Sequence, residues 1–176
     1  LIEGSRIRRL DRKIPHQQFP TAEVVDAQGQ FVIPGLIQAH THLVQCLFRG
    51  AADDLPLLDW LKNKIWPMEY HHNKTSVKAS SELALLEMQL LGTTSILDMG
   101  TLHHTEQVFR AVEKSGIRYW GGKCLMDRKG SSGPLYEARK QSLSETEELI
   151  KKWHQQKGRI HYALCPRFVP SCTERL

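Results

Sequence analysis

The fold is decided by Phe31-Val32-Ile33-Pro34-Gly35-Leu36-Ile37-Gln38-Ala39-His40-Thr41-His42, an apolar stretch that ends in two histidines one residue apart. Side chains at i and i+2 of a strand leave on the same face, so His40 and His42 can direct two imidazoles at one point. A bare pair of this kind on an exposed strand would be only a polar face. Here it follows an apolar run and a Pro-Gly turn, where an α/β barrel places its chemistry. We therefore expect a buried strand that ends in a metal site.

The stretch from Val32 to His42 closely resembles the first barrel strand of the amidohydrolase superfamily. The resemblance implies that His40 and His42 bind one divalent metal, most simply zinc, with iron as the alternative. In that family the other ligands are two later histidines and an aspartate, and a glutamate near the fifth strand transfers protons. Only four strand–helix units fit here, so we expect no catalytic residue of that kind in this sequence, and no activity from the 176 residues alone.

Strand and helix patterns alternate along most of the chain. Residues 1–33 contain short β-type runs broken by glycine and proline, and they resemble part of the small β-sandwich that accompanies many amidohydrolase barrels. Residues 34–176 are predicted to form the barrel domain. Its later strands are predicted at 93–99, 117–126 and 160–165, and its helices at 75–91, 105–115 and from a capping box at Ser144 and Glu147 to Trp153. This alternation indicates a parallel sheet with right-handed crossovers. The predicted fold class is α/β, the first half of a TIM-type (β/α)8 barrel, since a closed barrel needs about 250 residues.

The fourth predicted strand and its continuation, Ile160 to Arg167, contain no lysine. Some amidohydrolases hold a second metal with a carbamylated lysine on that strand. The resemblance therefore points to the one-metal deaminases.

The segment between His42 and Asn73 is too long for an ordinary loop and is predicted to be a substrate lid. Its Leu-Phe-Arg-Gly and Trp-Leu patterns resemble the chlorohydrolase and nucleoside-deaminase branch. That likeness implies substrate contacts from Trp60 and Glu69. The alternative for Trp60 is that it anchors a loop helix in the core.

Three further stretches resemble guanine deaminases and 5'-deoxyadenosine-type deaminases. They are Cys165-Pro166-Arg167-Phe168, Gln45 three residues after the second histidine, and the stretch from Gly122 to Asp127. The resemblance implies that Arg167 and Gln45 read a polar ring edge and that Phe168 offers a stacking face. The adenosyl branch often has histidine at the position of Arg167, and this sequence departs from it there.

These features favour a metal-dependent hydrolytic deaminase of a purine or related nitrogen heterocycle, with a metal-activated hydroxide attacking the amino-bearing ring carbon. One alternative is a triazine chlorohydrolase, which would displace chloride by the same addition. Another is a non-catalytic half-barrel that associates through its open strand edges.

Composition limits the partners. The formal charge is +5, but basic residues alternate with acidic ones and no aromatic–basic pattern suggests nucleic-acid binding. No apolar stretch is long enough to cross a membrane. Four cysteines without C-x-x-C spacing are typical of a reducing compartment, so we expect a cytoplasmic protein. The resemblance implies a small heterocyclic substrate, and we also expect a homo-oligomer. His71 and His72 are expected at the surface, and Asp98 and Asp127 are expected to cap the turns that follow them.

Overall fold

A computed structural model describes residues 1–176, which form two compact units, Leu1–Pro34 and Gly35–Leu176. The first unit contains one antiparallel pair, β1 (Ile2–Glu3) with β2 (Arg6–Ile7), and a single 3-10 turn. The β-sandwich interpretation of residues 1–33 stays a prediction.

The second unit is built on a parallel sheet. Its strands are β3 (Leu36–Thr41), β4 (Thr93–Thr101), β5 (Arg118–Leu125) and β6 (Ile160–Tyr162) in that spatial order, and β7 (Cys165–Pro166) pairs with β5. All these pairings are parallel. The predicted α/β class is confirmed, because four successive strand regions are joined through helices as in a partial barrel. The fourth predicted strand is split into β6 and β7.

Helices connect the strands. Two short helices, α1 (Leu57–Trp60) and α2 (Trp66–Tyr70), flank a π-helical turn in the connection after β3. The longer helices are α3 (Lys74–Leu90), α4 (Thr105–Ser115) and α5 (Arg139–Trp153). The side chain of Asn73 accepts the amide of Ser76 at 3.0 Å and fixes the start of α3. Gly116 ends α4 at φ +81°, a conformation that glycine adopts without strain.

The predicted capping box at Ser144 and Glu147 is wrong, because both residues lie inside α5. The helix begins at Arg139, after Ala138 in an extended conformation. Arg139, Lys140 and Gln141 are good helix formers and extend the helix toward its N-terminus.

The main core lies between the sheet and α3, α4 and α5. It includes Val77, Ile96, Phe109, Tyr119 and Trp153, all buried. The prediction of a buried first strand is wrong for this chain. Strand β3 pairs only with β4 at one edge of the sheet, and Ile37 is 74% exposed. None of the helices combines the length and apolarity needed to cross a bilayer.

Candidate active site

A buried polar network lies at the carboxyl ends of the strands. Glu69 of α2 is 2% exposed, and Arg167, just after β7, donates to both of its carboxylate oxygens at 2.6 and 3.0 Å. Gln45, in the 3-10 helix Leu43–Phe48 that follows β3, donates its amide N–H to Glu69 Oε1 at 2.7 Å. Three of the five predicted substrate-binding residues are therefore joined by hydrogen bonds. They come from positions 45, 69 and 167, so only the folded chain assembles them.

The Glu69–Arg167 pair is an ion pair withdrawn from water, with side chains 1% and 6% exposed. Burial by itself would lower the pKa of Arg167, but the Glu69 charge and hydrogen bonds outweigh it and raise that pKa above its ordinary value. Removing one partner of such a pair leaves an uncompensated charge and costs about 3–5 kcal/mol. The fork of Arg167 is thus fixed in one orientation before any ligand binds.

The two histidines end the first barrel strand. His40 lies within β3 and is exposed, whereas His42 follows the strand and is partly buried. Their ring centroids are 5.1 Å apart and nearly perpendicular. Burial, together with the charges of Arg167 and His40, lowers the pKa of His42 to about 4. Its imidazole is therefore neutral at pH 7.

These properties fit a metal ligand. Nδ1 of His42 is buried and has no hydrogen-bond partner in the protein, which is costly unless something else binds there. A neutral imidazole is also the form that binds zinc or ferrous iron. No set of three or more histidine, cysteine or acidic side chains comes close enough to hold a metal within residues 1–176. His40 and His42 thus fit as part of a metal site.

Trp60 and Phe168, the other two predicted substrate residues, pack against a second apolar cluster that contains Trp66 and Met126. The rings of Trp66 and Phe168 are 6.4 Å apart. A cavity of about 660 Å³ has Trp60, Gln45 and His42 in its wall, but not Glu69, Arg167 or Phe168. The cavity therefore reaches the histidine side of the site and extends along β3 and α3.

Several polar residues at the site were missed or misjudged from sequence. His72 is 9% exposed, so its surface prediction is wrong: the ring stacks on Phe48 and its Nε2 bonds Val44 O at 2.9 Å. Asp98 is 1% exposed, and its Oδ1 accepts the amide of Leu43, 55 residues earlier in the chain, a partner that was not foreseen. Asp98 stood out in the sequence because it is a charged residue within an apolar, β-branched strand. Nothing in the local pattern marked His72.

Asp127 also bonds a residue that is far from it in the sequence. Its carboxylate accepts the N–H and the O–H of Thr173, both at 2.6 Å, and so ties the end of β5 to the segment after β7. Lys123 of β5 is 1% exposed and pairs with Glu137 at 3.0 Å and Glu145 at 2.9 Å. These contacts fix the strand ends that carry the site.

Comparison with proteins of known sequence gives close relatives over the whole chain. One is the 5'-deoxyadenosine deaminase of Methanocaldococcus jannaschii, 36% identical over 180 residues that cover 100% of this chain and 40% of the relative. This chain spans only 38–40% of the length of the curated relatives it matches first.

Solved structures give the same picture. The chain is similar to guanine deaminase from C. acetobutylicum with guanine in its active site, with a TM-score of 0.83 and 31% identity over 92% of this chain and 39% of that one. It is also similar to a zinc-bound adenosine deaminase from Xanthomonas campestris, with a TM-score of 0.64 and 30% identity over 74% and 28%. A triazine hydrolase from Arthobacter aurescens, 22% identical with a TM-score of 0.69 over 80% and 35%, shares the fold.

The amidohydrolase family model matches residues 31–176, from the apolar stretch before β3 to the end of the chain. That range includes the paired histidines and every residue of the Gln45–Glu69–Arg167 network. The chain belongs to the amidohydrolase family.

Proposed function

We propose that the protein containing this chain is a metal-dependent hydrolytic deaminase of a purine, and that guanine-type oxopurines are its preferred substrates. The observation that carries this proposal is the buried Gln45–Glu69–Arg167 network beside His42. Relatives named as deaminases of adenosine-like compounds and a similar structure with bound guanine support the purine class.

The hydrogen-bonding capacity left over in the network favours an oxopurine. Gln45 donates one N–H to Glu69, and its amide oxygen remains available as an acceptor. Arg167 has five N–H groups and uses two on Glu69, so donors remain. An acceptor beside donors complements a lactam edge, which carries both N–H and C=O. The ring edge of a 9-substituted adenine, once its amino group faces the reaction centre, offers only acceptors and would leave the Gln45 oxygen unpaired.

His40 and His42 would hold the metal, and we propose zinc, which is present in a similar deaminase structure. A metal held there would supply Lewis-acid chemistry, which brings the pKa of water to about 7 and makes a nucleophile available at neutral pH. The residues of this chain bind and orient the ring: Arg167 and Gln45 hold its polar edge, and Phe168 and Trp60 offer apolar faces. Glu69 keeps Arg167 charged and in place.

The protein that contains this chain should be tested with zinc on a panel of ring compounds. The panel is guanine, 5'-deoxyadenosine, S-adenosylhomocysteine, a pterin and a chlorotriazine, assayed for ammonia or chloride release. We expect ammonia release, with the highest kcat/KM for guanine. Turnover of the chlorotriazine alone would favour the chlorohydrolase alternative. If a zinc-loaded protein turned over none of these compounds, the purine-deaminase proposal would be wrong.

We also propose a cytoplasmic location and a homo-oligomeric state. All four cysteines are free thiols, as expected for a reducing compartment. Light scattering on the same protein measures the oligomeric state, and a mass equal to one chain would contradict the second proposal.

A further inference from the structure

The main chain directly after His42 is held by three buried side chains. Asp98 Oδ1 accepts the Leu43 N–H at 3.0 Å, Ser80 Oγ donates to the Leu43 carbonyl at 2.9 Å, and His72 Nε2 donates to the Val44 carbonyl at 2.9 Å. We call Asp98, Ser80 and His72 the turn clamp. Because a carbonyl only accepts, the His72 proton is assigned to Nε2.

The turn clamp draws on three separate parts of the fold. Asp98 is in β4, Ser80 is in α3 and His72 precedes α3, and the three are 1%, 0% and 9% exposed. Leu43 and Val44 are themselves fully buried. The first amide of a helix has no partner within that helix, so Asp98 supplies the acceptor that Leu43 would otherwise lack.

Asp98 is itself held firmly. The hydroxyl of Tyr119, fully buried on β5, donates to Asp98 Oδ2 at 3.1 Å. Gly121 allows this contact, since a Cβ there would lie 2.3 Å from the Tyr119 hydroxyl oxygen. Burial raises the pKa of Asp98 to about 6, although hydrogen bonds from the Leu43 amide and the Tyr119 hydroxyl act to lower it. Burying a carboxylate costs more free energy than burying an apolar side chain of similar size. Packing alone therefore does not explain why an aspartate occupies this position.

The reason lies in the strand that carries the histidines. The pairing of β3 with β4 shifts register between Gln38 and Thr41, so regular ladder hydrogen bonds do not fix the chain where His40 and His42 lie. The turn clamp begins one residue after His42. It therefore provides the fixed point that the irregular ladder lacks.

We propose that the turn clamp positions His42 for the metal, so that Asp98, Ser80 and His72 set metal affinity without touching the ion. This inference rests on the proposed function, in which His42 is a ligand. Residues that orient metal ligands from behind typically change metal affinity by about 10–100-fold when removed.

The chain offers a matched pair for the test. Ser80 and Ser81 are adjacent in α3 and both 0% exposed, but Ser80 bonds Leu43 whereas the Ser81 hydroxyl has no partner. Zinc dissociation constants should be measured by chelator competition on the full-length protein, alongside Tm in the metal-free state. We expect Ser80→Ala to weaken zinc binding about three- to tenfold, and Ser81→Ala to leave it unchanged.

Two substitutions at Asp98 distinguish the effect of its hydrogen bond to Leu43 from the effect of its charge. Asp98→Ala should weaken zinc binding about 10–100-fold, whereas Asp98→Asn keeps an acceptor for the Leu43 amide and should stay within about threefold of the native protein. A purely structural role would lower Tm and leave the zinc dissociation constant of the folded protein unchanged. Native affinity in Ser80→Ala would overturn the inference, and so would an equal loss in Asp98→Asn and Asp98→Ala. If Asp98→Ala does not fold, Ser80→Ala and Asp98→Asn decide.

The same titration distinguishes failure of the proposed function. If the native protein binds one zinc per chain and His42→Ala loses it, His42 is a ligand and the clamp variants test the inference alone. If His42→Ala binds zinc like the native protein, the ligand assignment fails, and the inference fails with it.

Discussion

The two halves of the candidate site differ in how complete they are within these 176 residues. Glu69, Arg167 and Gln45 form a network in which both Glu69 oxygens accept hydrogen bonds, while Arg167 keeps N–H donors and Gln45 keeps its amide oxygen for a ligand. His40 and His42 form an open pair, one exposed and the other with a buried, unpartnered Nδ1. One half is ready to bind, and the other still requires further ligands.

The difference shows how each kind of site is stabilised. The recognition half is stabilised by its own internal charge pairing, so it needs no ligand to keep its shape. The metal half carries an unpaired polar atom, and a bound ion compensates that cost. Mutations should therefore affect the two halves differently, because each is stabilised mainly by different groups.

The largest effect should come from the metal half. We expect His42→Ala, in the full-length protein, to abolish stoichiometric zinc binding and to lower kcat/KM by at least about 1000-fold, since the nucleophile depends on the metal. His40→Ala should behave alike. Metal analysis with steady-state kinetics checks this, and full occupancy in the double variant would contradict the assignment.

The recognition half should give a smaller effect that leaves the metal in place. Arg167→Ala removes donors to the ring edge, and an unpaired buried partner costs about 1–3 kcal/mol, so kcat/KM of the folded protein should fall roughly ten- to a hundredfold. Because the variant also leaves the buried Glu69 carboxylate uncompensated, its Tm should fall as well. Zinc content should stay at the native level. Loss of zinc in this variant would show that the two halves are coupled.

A second arginine provides the control for lost packing. Arg159 is also partly buried, but it donates to the carbonyls of Val112 and Ile117, within the core region rather than at the site. Arg159→Ala should lower Tm and leave kcat/KM for the same substrate unchanged. An equal loss of kcat/KM in both arginine variants would indicate general destabilisation instead of lost recognition.

The raised pKa of Asp98 predicts that the stability of the protein depends on pH. Because burial raises its pKa from 3.8 to about 6, the native state keeps a proton that the unfolded state has released. The stability that Asp98 contributes is thus fully present below about pH 4 and is lost as pH rises through 6, by at most about 3 kcal/mol. Urea unfolding of metal-free protein should show this loss from pH 4 to 7.5, relative to Asp98→Asn. A difference independent of pH would contradict it.

Local sequence patterns predicted the structure correctly where interactions between residues close in the sequence determine it. The helix 105–115 and its Gly116 end were predicted to the residue, because periodicity and a glycine C-cap act within a few positions. The start of α5 was misplaced because Ser144 and Glu147 satisfy a capping pattern that the preceding helix formers override. His72 and Ser80 were not foreseen, because each gains its role from a partner 28 or 37 residues away. Their function is encoded in tertiary contacts that no local pattern reveals.

The smallest effect should come from the apolar face of the recognition half. Trp60 is partly buried, lines the cavity beside His42 and packs on the same apolar cluster as Phe168. An apolar contact stabilises the bound substrate and the transition state about equally, so Trp60→Ala should raise KM several-fold with little change in kcat. Trp60→Phe keeps much of the apolar surface and should restore most of the native KM. If Trp60 only anchors α1 in the core, Trp60→Ala will instead lower Tm. It will then lower kcat and raise KM together, because the lid is less well ordered. Steady-state kinetics and thermal unfolding of the same two variants therefore distinguish a substrate contact from a packing residue.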